Sequence, residues 1–109
     1  MSDTNMPTGK IIRLDEMVQN QNGSVVSKTL IKKEKGNITL FAFDQGQGLS
    51  EHTAPFDAFV QILEGEAELV IGGESLFPKA GDSVVMPAGI PHAVKAPRPF
   101  KMLLTMIRG

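Results

Sequence analysis

Apolar residues in this chain come in short bursts separated by glycine, proline and small polar residues, most densely after position 45. Glu66 to Ile71 (E-A-E-L-V-I) has the clearest pattern, with Glu66 and Glu68 alternating with Ala67, Leu69 and Ile71. A period of two sends one set of side chains inward and the other into water, which predicts a strand with one wet face. Ile71-Gly72-Gly73-Glu74 then reads as a two-residue hairpin, because Gly-Gly supplies the positive φ angles that such a turn demands. Ala58 to Glu64 (A-F-V-Q-I-L-E) behaves differently. Phe59 and Leu63 occupy the face opposite Ala58, Val60 and Ile62, so this strand is expected to be covered on both sides, by a second layer or by a partner subunit. Further strands are predicted at Val25–Lys32, Asn37–Asp44, Ser83–Met86, His92–Lys95 and Phe100–Arg108. Only Ile12–Val18 suits a short N-terminal helical turn, which Asn20–Gly23 would stop. Many short strands and no long helical period predict an all-β sandwich or barrel.

Composition narrows the class. With 109 residues, the chain is expected to form one domain over 1–109, with 1–10 as a flexible N-terminal tail. Its hydrophobic share of 41% is ordinary for a globular protein and speaks against disorder. Eleven Lys and Arg against 12 Asp and Glu leave a net charge of −1, which provides no field for a polyphosphate, so nucleic acid is not an expected partner. No apolar run approaches the roughly 18 residues of a membrane span, and the N-terminus has no apolar signal region. A cytoplasmic location and no membrane partner are expected. Cys, Trp and Tyr are absent, which excludes disulfides, thiolate metal sites and phenolic chemistry. Any imidazole chemistry falls to His52 or His92, the two histidines of the chain.

Three local motifs carry little. Gly46-Gln-Gly48 opens a G-x-G, but Glu51 stands where the third glycine belongs and no helix follows, so a glycine-rich loop is expected instead of a dinucleotide site. Gly48-Leu-Ser50, Gly73-Glu-Ser75 and Gly81-Asp-Ser83 each lack the second glycine of a nucleophile elbow. Lys28 to Lys35 includes Glu34 and reads as a solvated strand edge, where lysines discourage edge-to-edge pairing.

Two longer segments, Gly46–Gly65 and Gly81–Ala96, are more specific. Gly46, His52 and Gly65, then Gly81, Pro87, Gly89 and His92, resemble the two sequence motifs of the cupin superfamily. The resemblance implies a double-stranded β-helix, or jelly-roll barrel, of the small single-domain bacterial type. In metal-binding cupins, two histidines and a glutamate of the first motif and one histidine of the second hold a divalent ion, such as Zn, Ni, Fe or Mn. Here the second histidine position is Ala54, the glutamate position is Ala58, and the second motif's asparagine position is Ala96. Three polar groups have become methyl groups. The resemblance therefore points to a degenerate metal site whose ion is absent or weakly bound, with His52 and His92 remaining as candidate ligands.

Asp57 is a candidate third ligand only if a bend near Pro55 re-aims it, since strict alternation turns it to the other face. Val60, Ile62, Val94, Met102, Leu104 and Met106 are expected to wall a ligand pocket marked by the two histidines. For Met86, Met102 and Met106, core filling is the ordinary use. The expected function is binding of a small molecule, such as an organic acid or carbohydrate-like compound, by a homodimeric barrel. The competing readings are a metal-dependent isomerase, decarboxylase or oxygenase using His52 and His92, and a partner-binding module working through Phe41, Phe43, Phe59 and Leu63.

Overall fold

The computed structural model describes residues 3–4 and 7–108. The chain forms β1 (Asp3–Thr4), a 3-10 turn at Leu14–Glu16, β2 (Val25–Lys33), β3 (Gly36–Phe43), β4 (Gly48–His52), β5 (Asp57–Glu64), β6 (Glu68–Ile71), β7 (Glu74–Leu76), β8 (Ser83–Met86), β9 (His92–Lys95) and β10 (Phe100–Ile107). Two antiparallel sheets form, with strand orders β1-β2-β3-β10-β5-β8 and β4-β9-β6-β7. The chain passes repeatedly from one sheet to the other, giving the jelly-roll arrangement.

Local pattern accounts for much of this. The Gly72-Gly73 turn joins β6 to β7 with Ile71 opposite Glu74, and both glycines have positive φ (58° and 85°) as the hairpin requires. The helical turn is limited to Leu14–Glu16, within the predicted Ile12–Val18. Two segments differ from expectation. Gly48–His52, where local pattern predicts no strand, pairs with β9 as one; its partner lies far along the chain, so local composition does not reveal it. Asp3–Thr4, within the expected tail, pairs with Lys32 and Ile31 on the open edge of β2. Residues 1–2 and 5–6 of that tail lie outside the described residues.

The core between the sheets is formed by Phe43, Val60, Ile62, Leu69, Val94, Phe100 and Met102 with their neighbours. The ring of Phe43 stacks on Phe100 at 4.6 Å and on Phe41 at 5.7 Å. Phe41 and Phe43 thus pack inside the barrel and offer nothing to a partner on its outer surface. A second apolar cluster lies on the outer face of the larger sheet, where Leu14, Met17 and Val18 pack over Leu30, Leu40, Leu63 and Leu103. The buried Lys101 ammonium holds this cover in place, donating to the Asp15 carbonyl at 2.7 Å and lying 3.4 Å from the Glu64 carboxylate. Asn20 adds a hydrogen bond to the Phe43 carbonyl at 3.0 Å. The two apolar faces of β5 therefore have different fates. Leu63 is covered by its own chain, whereas Phe59 remains exposed beside Val85 (55% exposed) and Ile107 (65%).

Candidate functional site

A partly enclosed cavity of about 110 Å3 lies between the inner faces of the two sheets at one end of the barrel. His52 and His92 form one wall. They are directly opposed partners on β4 and β9, with ring centroids 4.4 Å apart and planes at 70°. Their convergence depends on a bulge. Leu49 pairs with Val94 and His52 with His92, so three steps on β4 match two on β9. The extra residue brings Leu49 and His52, which alternation would place on opposite faces, onto the same cavity wall.

The facing wall belongs to the larger sheet. Ala58 sits in register between Met86 of β8 and Met106 of β10. Its methyl group leaves open the space that a longer side chain would fill. Ala54, Phe56 and Ala58 all line the cavity, a period-two series whose aromatic member was legible in the sequence and missed there. Of the expected wall residues, Val94, Met102, Leu104 and Met106 do line it. Val60 and Ile62 do not: both are fully packed in the core farther along β5, where facing side chains fill the barrel. Leu49, Phe56 and Met86 complete the lining. Ala96 is buried away from the imidazoles, its amide paired with Gln47 and its carbonyl with Gly46.

Asp57 is a correction. No bend re-aims it; it stays in phase with Phe59 on the outer face, and its Oδ1 accepts the Ala88 amide at 2.8 Å. Among the described residues no group of three or more His, Cys, Asp or Glu side chains converges.

Hydrogen bonding sets the tautomers. His52 Nδ1 lies 2.7 Å from the Ser50 carbonyl and His92 Nδ1 3.2 Å from the Ile90 carbonyl. A carbonyl oxygen only accepts, so each Nδ1 carries the proton and each neutral ring keeps its lone pair on Nε2. His52 is exposed at the mouth, whereas His92 is 3% exposed. Burial lowers the His92 pKa below the usual 6.5; the bond to Ile90 opposes this, and the charge of His52 adds to the lowering. The folded protein thus resists a proton that the unfolded chain accepts freely. Between pH 6.5 and the lower folded value the unfolded state binds more protons, so stability is full above pH 6.5 and is lost as pH falls. Urea unfolding at about pH 5, 6, 7 and 8 is expected to show falling stability below pH 6.5, and His92→Asn to flatten that slope. An unchanged slope in the variant would assign the loss to other groups.

A divalent ion needs more donors than this pair supplies. Zinc sites use three or four protein ligands, and non-haem iron sites two histidines with a carboxylate. Two imidazole nitrogens with no carboxylate do not meet either requirement. No helix among the described residues is long and apolar enough to cross a membrane.

Comparison with known proteins agrees with this architecture. The family described as Cupin domain matches residues 39–107. A conserved protein of unknown function from Streptococcus pyogenes has a similar crystal structure, with 38% identity and a TM-score of 0.93, covering 97% of this chain and 93% of that one. A Cupin 2 conserved barrel domain protein from Leptotrichia buccalis is 41% identical with a TM-score of 0.86; the match covers 89% of this chain and 47% of that one, about half its length. An uncharacterised protein of Aquifex aeolicus is 30% identical over 95 residues, 85% of this chain and 78% of that protein.

Proposed function

This chain belongs to the cupin domain family, and from that premise we propose that its barrel binds a small, mainly apolar organic molecule bearing one polar group. The observation that carries this reading is the cavity lining: alanine, leucine, methionine and phenylalanine side chains around one pair of imidazoles. Polar groups at one wall of an apolar hollow fix orientation, while the remaining surface supplies burial. Size limits the ligand. About 110 Å3 holds the equivalent of roughly four waters and is comparable to apolar cavities that admit benzene. A short-chain alcohol fits that space, whereas a sugar ring does not. A proton on the ligand would meet an Nε2 lone pair.

Thermal unfolding in the presence of propanol, isobutanol, butanol or benzene tests the proposal. A ligand at about 100 times its Kd stabilises the fold by about 2.7 kcal/mol, a shift of about 10 °C in Tm. Ala58→Leu fills the cavity and is expected to abolish the shift. If none of the four probes raises Tm, or Ala58→Leu leaves the shifts unchanged, the cavity is not the binding site.

A further inference from the structure

The outer face of the larger sheet divides into two halves. One is covered by the chain itself, where Leu14, Met17 and Val18 pack over Leu30, Leu40, Leu63 and Leu103. Beyond that cover the apolar surface continues. Strand register aligns Ile31, Ile38, Thr105, Phe59 and Val85 in one row across β2, β3, β10, β5 and β8. At a strand spacing of about 4.8 Å this row is about 19 Å wide. The next row on the same face is Lys33, Gly36, Ile107 and Asp57. Two shallow hollows lie on either side of β10 and share Thr105 and Ile107. Ile31 and Ile38 line the first, with Lys33 and Lys35; Phe59 and Val85 line the second, with Asp57. Single apolar side chains on a surface are ordinary, but a contiguous apolar face rimmed by charge marks an interaction site.

We propose that this face joins two copies of the chain, sheet against sheet, about a twofold axis running along β10. A twofold interface pairs one patch with itself, so every residue must find its complement within the same face. Rotation about β10 exchanges β3 with β5 and β2 with β8. Thr105 then meets Thr105 of the second copy, Ile38 meets Phe59, and Ile31 meets Val85. In the next row Asp57 stands over Gly36, which has no side chain to obstruct it and is bordered by Lys33 and Lys35. Asp57 Oδ1 accepts the Ala88 amide, which fixes the carboxylate on this face. Apolar contact in the middle with opposite charges at the rim is the usual order of a stable interface. An unrelated partner requires no mirror relation between the basic and the acidic hollow, whereas a second copy does. The face lies on the far side of the larger sheet from the cavity, so the proposal stands whether or not the cavity takes an organic molecule.

Sedimentation equilibrium of the full chain is expected to give twice the chain mass. Thr105→Lys sets two like charges against each other on the axis, at a position only partly buried in the single chain, and is expected to weaken the dimer at least about 30-fold. Lys33→Glu/Lys35→Glu turns carboxylates toward Asp57 and is expected to weaken it at least about threefold. A third readout uses wild-type protein labelled with 13C at the isoleucine methyls, in the presence of a soluble spin label. Ile107, 65% exposed in the single chain, is expected to be spared broadening, whereas Ile11, 99% exposed, is not. A chain that stays monomeric at about 1 mM leaves the face to a different partner and overturns the proposal. Undiminished association in either variant, or a dimer in which Ile107 broadens as strongly as Ile11, overturns it as well. The spin-label readout holds even if a variant misfolds.

Discussion

Replacing Ala54 with His and Ala58 with Glu is expected to turn the apolar hollow into a centre that retains Zn or Ni through dialysis. Both alanines line the cavity with His52 and His92, so the new imidazole and carboxylate start from positions already facing the pair. Two ligands then become four, the number that closed zinc sites use. If each added ligand contributes about 10–100-fold, affinity for the divalent ion rises by about 10²–10⁴-fold over the wild type. Space is the competing term, because the longer side chain introduced at position 58 would stand between Met86 and Met106 in the row across the sheet. Met106 is only partly buried and is flexible, so it can yield. Metal content after dialysis and calorimetric titration with nickel read the outcome. A folded double variant that remains empty would show that position 54 or 58 does not point at the imidazoles, and the geometry of the site would be wrong.

Gly65→Ala is expected to be the most damaging single-methyl addition in the chain's motif glycines. Gly65 follows the last residue of β5, where the chain leaves the larger sheet, and has φ +79°. A Cβ there would run into the Pro99 carbonyl and lie 2.9 Å from Phe100 Cβ, and neither atom is the free end of a flexible side chain. The left-handed conformation alone costs an L-residue about 1–2 kcal/mol, and forced repacking adds about 1–3 kcal/mol. A total of about 2–5 kcal/mol is a large part of the roughly 5–15 kcal/mol that holds a domain together. Gly73→Ala is the control: its φ is +85° but nothing lies within 4 Å of the added methyl, so only the conformational cost applies. Urea midpoints read the difference. Equal losses in the two variants would mean that the chain at Pro99–Phe100 relaxes freely and that the close approach does not matter.

The sequence was most informative where an element depends on its own residues. The alternation in β6, the Gly-Gly hairpin and the bounds of β8 and β9 all follow from local pattern, because strand periodicity and turn φ angles are properties of a few adjacent residues. The two-motif resemblance extended this to the family and the barrel. Local pattern failed at β4, for which it predicts no strand, because the hydrogen bonds of β4 come from β9 far along the chain. It also failed for the walls of the cavity. Alternation places Val60 and Ile62 on the same inner face as Ala58, but it does not say how far along the barrel the packing becomes solid.

What this chain's residues determined on their own was an all-β cupin barrel with two imidazoles and no carboxylate at the family's ligand positions, since residue type and strand period are written directly in the order of amino acids. The tertiary structure alone decided the rest. A bulge between Leu49 and His52 turned an out-of-phase histidine toward His92, Asp57 was committed to the Ala88 amide, and two methionines from separate strands met across Ala58. Each of these depends on register between strands distant in sequence, and register is fixed by the packing of the whole barrel.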